Sequence, residues 1–205
     1  MEILDGLPVV EVTSVAQWRE WLANPRERAV WLVVRRRGAD VPGVLVHEAM
    51  EHALCFGWID SKALRRDASS TYLCFTPRNP KSTWSRVNRE RVARLTAAGL
   101  MTPAGQTVVD LARRTGTWDA LAEAQDGVVP PDLRRALDAD AAAAGHFANF
   151  PPSARRAILE WIAKAKRPEA RARRIATTVE LARDNRCADQ RPPRSGLQSG
   201  RGRTA

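Results

Sequence analysis

The densest group of chemically capable side chains runs from Gly57 to Arg91, where Trp58, Tyr72, Phe75 and Trp84 alternate with Asp60, Lys62, Arg65, Arg66, Arg78, Lys81, Arg86, Asn88 and Arg89. Aromatic rings beside guanidinium groups can form an anion pocket or a stacking surface. In that reading Arg78 is a directional donor to carboxylate or phosphate, Trp58 and Trp84 supply walls, and Asp60 orients a neighbouring cation. Lys62 and Asn88 complete the set of expected ligand-binding residues. The same residues have an equally physical structural use. Indoles fill cores, arginine stems pack over their edges, and Asp60 pairs with one of the cations.

Other chemical signals are weaker. His47 and His52 flank Glu48 and Glu51 on one helical stretch, which brings zinc ligation to mind. Histidines five apart lie about 140° around a helix, whereas converging ligands four apart lie about 40° apart. A solvated helix face is therefore expected, with no metal. Cys55 falls at a predicted helix C-terminus, where the helix dipole raises a thiol pKa, so it reads as a core thiol. Cys74 falls in a predicted strand and Cys187 near the chain's end, and neither completes a Cys/His arrangement. The chain lacks a nucleophile elbow, a Walker loop and a dinucleotide fingerprint. No cofactor is expected, and catalysis would need an unrecognised mechanism, with Asp60 or Cys55 in a cleft.

Positioning these side chains requires a particular set of elements. Thr13, Ser14 and Gln17 open an amphipathic helix that Asn24-Pro25 stops. The run Ala29 to Val34 reads as a buried strand with a solvated exit at Arg35 to Arg37 and Gly38. Leu45 to Phe56 is a second amphipathic helix ended by Gly57. Ile59 to Arg66 and Thr71 to Thr76 flank an Asp-Ala-Ser-Ser turn as an antiparallel hairpin, and the prolines at 77 and 80 hold the loop after it apart. Everything further is helical: from about Ser82 to Gly99, Thr102 to Arg114, Trp118 to Ala124, Pro131 to Ala144, Pro152 to Ala165 and Pro168 to Asn185. The fold class is α+β, a small antiparallel sheet packed by helices and followed by a helical unit. The expected division is an α+β domain over 1–127, a helical domain over 128–187 and a disordered basic tail over 188–205.

Composition sets the outer bounds. With 205 residues, 44% hydrophobic and 27% charged, the chain has the balance of a globular protein, which excludes collagen-like and mucin-like classes. No apolar run approaches the roughly 20 residues of a membrane span and no signal segment is evident, so a cytoplasmic protein with reduced thiols is expected. The net charge of +10 is concentrated: residues 60–95 hold 9 basic and 3 acidic groups, and residues 150–187 hold 10 and 4. Such blocks serve as solvated helix faces or as contacts to anionic partners.

Several multi-residue blocks in fixed order resemble the bacterial YdeI/OmpD-associated (OmdA-like) family. They include Ala53 to Asp60, Phe75 to Arg78, Trp84-Ser85 with Asn88 and Arg91, and Gly99 to Gly105. Pro130 to Leu133, Phe150 to Ser153, Trp161 to Glu169 and Arg171 to Ile175 continue the likeness, which covers about residues 7 to 187. The resemblance implies bacteriocin or antimicrobial-peptide protection, a stress-related role and porin association, with no catalytic residue or cofactor to carry over. A periplasmic porin partner would require export.

Three functions follow as expectations. The first is a non-catalytic binding or protection protein whose Trp/Arg surface holds an anionic small molecule or an acidic protein segment. The second is nucleic-acid binding through the two basic blocks, and the third an enzyme of unrecognised mechanism.

Overall fold

The structure, a computed structural model, describes residues 2–188. It divides into two compact units, one ending at Asp119 and one beginning at Ala120. The basic tail expected to be disordered lies, from residue 189 onward, outside the described residues.

The first unit is built on β3 (Val30–Arg35), whose β-branched and aromatic residues are all buried. Along one edge β3 pairs antiparallel with β6 (Ser70–Pro77), from Val30 opposite Phe75 to Arg35 opposite Ser70. Its other edge takes β2 (Leu7–Val10) in parallel at Trp31 and Leu32, then β4 (Val44–Leu45) in parallel at Val34 and Arg35. With β1 (Ile3–Leu4) beside β2 and β5 (Trp58–Arg65) beside β6, the sheet order is β1-β2-β3-β6-β5. The α+β class and the hairpin are as expected from the sequence, but the sheet is mixed. The β2–β3 pair is parallel because α1 (Val15–Ala23) carries the chain back between them, and the β3–β4 pair because residues 36–43 do the same; β2, short and interrupted by Pro8, and β4, of two residues, give little strand signal in the sequence.

The β5–β6 hairpin is closed by Asp67. Its Oδ1 accepts from the backbone N–H groups of Ser69 and Ser70, both at 2.7 Å, and its Oδ2 accepts from the Ser70 hydroxyl at 2.7 Å. One extra residue falls between Asp60, opposite Phe75, and Ala63, opposite Leu73, so β5 bulges beside Lys62.

Helices cover this sheet for local reasons. At α1 the Ser14 hydroxyl accepts from Gln17 N–H at 3.3 Å while Gln17 Oε1 accepts from Thr13 N–H at 2.9 Å, a reciprocal cap. Trp18 Nε1 donates to the Ala49 carbonyl at 3.1 Å, pinning α1 to α2 (Val46–Cys55). Trp18, Leu22, Val30, Leu32, Val34, Ala53, Trp58 and Phe75 belong to the resulting core. A second cluster in the same unit joins Leu54 and Cys55 to α3 (Arg86–Ala97) and α4 (Pro103–Arg114) through Trp84, Val92, Leu95 and Val109. Gly105 makes this approach possible: a Cβ there would stand 2.1 Å from the Cys55 carbonyl oxygen.

The second unit is helical: α5 (Ala122–Gln125), α6 (Pro131–Asp138), α7 (Ala141–Asn149), α8 (Pro152–Ala163) and α9 (Pro168–Arg183). Prolines open α6, α8 and α9, where a missing backbone donor is harmless. Leu133, Phe147, Ile158, Ile162 and Ile175 fill its core. The single helix expected over Pro131 to Ala144 is two, because Asp140 leaves helical geometry and caps α7, accepting from Ala143 N–H at 3.0 Å. The helix expected over Trp118 to Ala124 contracts to Ala122–Gln125. Among the described residues no helix is long and apolar enough to cross a membrane.

Candidate functional site

The two indoles expected to wall one recess enter different clusters. Trp58, 5% exposed, lies in the sheet core and meets Trp21 edge-on at 5.4 Å. Trp84, 2% exposed, lies in the helical cluster, tilted against Trp118 at 4.8 Å. Arg78 joins Trp84: its Cζ stands 3.8 Å from the ring centroid and its Nη2 donates to the Thr83 carbonyl at 2.7 Å. Its Nε is buried without a hydrogen-bond partner. Burial holds the guanidinium pKa down to about 10, opposed by the charge of Asp60. The ring of Trp118 carries Arg113 5.0 Å from its centroid, so cations and indoles alternate through this cluster.

The other expected site residues lie apart from that stack or act locally. Lys62 is exposed on the bulged strand. Asn88 receives Ser85's cap through its backbone N–H at 3.3 Å, and its Oδ1 accepts from Arg91 Nη1 at 3.0 Å. Cys55 is buried, which pushes its thiol up, and its carbonyl accepts from the Thr102 hydroxyl at 2.6 Å. Nδ1 of His52 lies 3.0 Å from Arg19 Nη1. Among the described residues there is no group of three or more His, Cys, Asp or Glu side chains able to hold a metal ion.

Much of the basic charge is bonded within each unit. Arg66 pairs with Glu11 at 3.2 Å, Arg89 with Asp119 at 2.6 Å and Arg94 with Glu51 at 2.8 Å. In the helical unit Arg171 grips Asp132 through Nε at 2.6 Å and Nη2 at 2.9 Å, and Arg183 reaches Asp140 at 2.7 Å.

A different cluster is open. Where β3 leaves the sheet, Arg35, Arg36 and Arg37 line a cavity of about 360 Å³ together with Leu45, Val46, His47 and Met50 from the β4–α2 junction and Arg91 from α3. Local structure explains the placement. Arg35 is the last residue of β3 and is 8% exposed; it ion-pairs with Glu11, whose other oxygen takes Arg66. The Arg66 bond first, and then the charges of Arg66 and Arg35, hold the Glu11 carboxyl below its usual range. Gly43 makes room for the Arg35 stem, since a Cβ there would stand 2.5 Å from Arg35 Cγ. Arg36 is fixed by its backbone N–H, which donates to the Ser69 carbonyl at 2.9 Å. At the start of α2, Glu48 accepts from Leu45 N–H at 2.9 Å, which sets the direction in which Val46, His47 and Met50 leave the backbone.

Chemically the lining offers four guanidinium groups, an imidazole and the apolar side chains of Leu45, Val46 and Met50. No carboxylate, thiol or hydroxyl is among these lining residues. Such a set is suited to an anion, and His47 is its one side chain able to act as a base or nucleophile. Sequence reading took Arg35 to Arg37 as a solvated strand exit and His47 as a solvated helix face. The available signal was the arginine run placed directly after a buried strand, but only the β3–β4 register, Val34 opposite Val44 and Arg35 opposite Leu45, brings it to the head of α2.

Residues 10–108 match the family model described as Domain of unknown function (DUF8412). Residues 126–185 match the one described as Bacteriocin-protection, YdeI or OmpD-Associated. The resemblance expected over residues 7 to 187 is thus shown for the C-terminal segment, while the N-terminal motifs fall within a separate match. No curated protein and no solved structure matches the chain.

Proposed function

We propose that this chain, whose residues 126–185 carry the OmdA-type match, is a non-catalytic anion-binding protein whose α+β unit seats the ligand in the arginine-lined cavity. One observation carries the reading: Arg35, Arg36, Arg37, Arg91 and His47, from three separate elements, converge on one hollow of about 360 Å³. Holding an anion there is the contribution we assign to a protective role of the kind the family description names. The convergence favours a small ligand over nucleic acid, since several cations of the basic blocks are already bonded to carboxylates of their own unit. Arg78, Trp84 and Trp58 serve this reading as the frame of the unit. The test is calorimetric titration of the full chain with inorganic phosphate at low and moderate salt. Binding that weakens with salt and falls at least tenfold in Arg91→Gln supports the proposal; equal binding by the variant refutes it.

A further inference from the structure

Resting on that reading, we infer the class of ligand: a phosphate monoester with a compact apolar body. The charge of the cavity selects the head group. Arg35 is already paired with Glu11, and Arg91 donates to the neutral Asn88 amide. Of the described residues' ion pairs none involves Arg36 or Arg37. Three guanidinium groups on the lining thus have no bonded carboxylate, an excess that suits a dianion better than the single charge of a carboxylate. The planar forks of the arginines match phosphate oxygens.

The apolar wall selects the body. Val46 is 41% exposed at the first position of α2, and Leu45 and Met50 line the cavity beside it. Bare phosphate would leave this wall wet. The volume, about 360 Å³, is at the lower end of small-molecule sites, which run from about 300 to 1,000 Å³, and far exceeds what one phosphate fills. A short alkyl or aryl group attached to the phosphate would cover Leu45, Val46 and Met50 while the head stays with the arginines. A soluble ester, not a bilayer lipid, is the occupant we commit to, because a hollow of about 360 Å³ is sized for a short chain.

Calorimetric titration of the full chain with inorganic phosphate, butyl phosphate, hexyl phosphate, hexanoate and hexanol tests this. Affinity is expected to rise from inorganic phosphate through the esters, by about fifteenfold between butyl and hexyl, since each buried methylene contributes about fourfold. Hexyl phosphate is expected to bind more tightly than hexanoate, and hexanol not measurably. Val46→Ser, at an exposed position at the start of α2, should flatten the chain-length gain, read as the ratio of hexyl phosphate to inorganic phosphate affinity within the variant. Equal affinity for inorganic and hexyl phosphate, or for hexanoate and hexyl phosphate, overturns the inference while leaving an anion site standing. Binding only to phosphatidate vesicles, with none to hexyl phosphate, also overturns it. If no anion binds, or if Arg91→Gln leaves every affinity unchanged, the anion-site reading itself falls.

Discussion

The guanidinium carbon of Arg78 stands 3.8 Å from the centroid of the Trp84 indole, and the pair is sealed together, each less than a tenth exposed. A desolvated cation held by a ring face and one carbonyl is a structural element. Arg78→Ala is expected to destabilise the protein by about 1–3 kcal/mol, because it strips the Trp84 face and leaves the Thr83 carbonyl without its donor. Arg78→Met, which keeps the stem and removes the buried charge, should cost less. Urea denaturation followed by tryptophan fluorescence ranks the two. A larger loss for the methionine variant would show that the charge itself stabilises, and an intact fold that no longer binds anions would make Arg78 a ligand group.

Gly43 and Arg35 are a second such pair. A methyl group at position 43 would stand 2.5 Å from Arg35 Cγ, so Gly43→Ala must displace the arginine stem from its place beside Glu11. The glycine backbone is not in the left-handed region, so crowding alone acts. Overpacking of this kind costs about 1–3 kcal/mol. The variant is expected to lose stability of that order and to bind anions more weakly. Wild-type stability together with wild-type affinity would show that Arg35 need not be held where it is.

These pairs mark how far residue patterns reach. The cap at Ser14, the Asp67 turn and the proline-led helices are written in a few neighbouring residues, so the elements were legible. Asp140, a single residue between α6 and the alanine-rich start of α7, splits a helix that periodicity alone joins. The clustering of Arg78 with Trp84 was visible as composition, whereas its burial was not. Whether a tryptophan walls a recess or fills a core depends on what packs against it, and Trp58 meets Trp21 from a helix that precedes it by more than thirty residues. The open cavity was hidden for the same reason, since it depends on strand register and on Arg91 from α3.

Acid should act on the two units at different pH. Burial first, and then the charge of Arg19, hold the His52 imidazole below its ordinary pKa of about 6.5. The folded chain therefore binds this proton less readily than the unfolded chain. Its contribution is complete above pH 6.5 and is lost as pH falls through the lowered value. In the helical unit the Arg171 fork holds the Asp132 carboxyl below the usual carboxylate range. That contribution is present above about pH 4 and disappears only in stronger acid. Urea midpoints between pH 7.5 and 5 should fall for the wild type and flatten in His52→Gln. A midpoint that stays constant over that range contradicts the assignment.

Amide chemical shifts recorded while inorganic phosphate is titrated into the ¹⁵N-labelled protein locate the ligand directly. The account predicts saturable shifts at Arg35 to Arg37, at Leu45 to His47, at Met50 and at Arg91, the residues that line the cavity, with little change at Trp58, Arg78 and Trp84. Shifts concentrated at Trp58, Arg78 and Trp84, with the cavity silent, would contradict it.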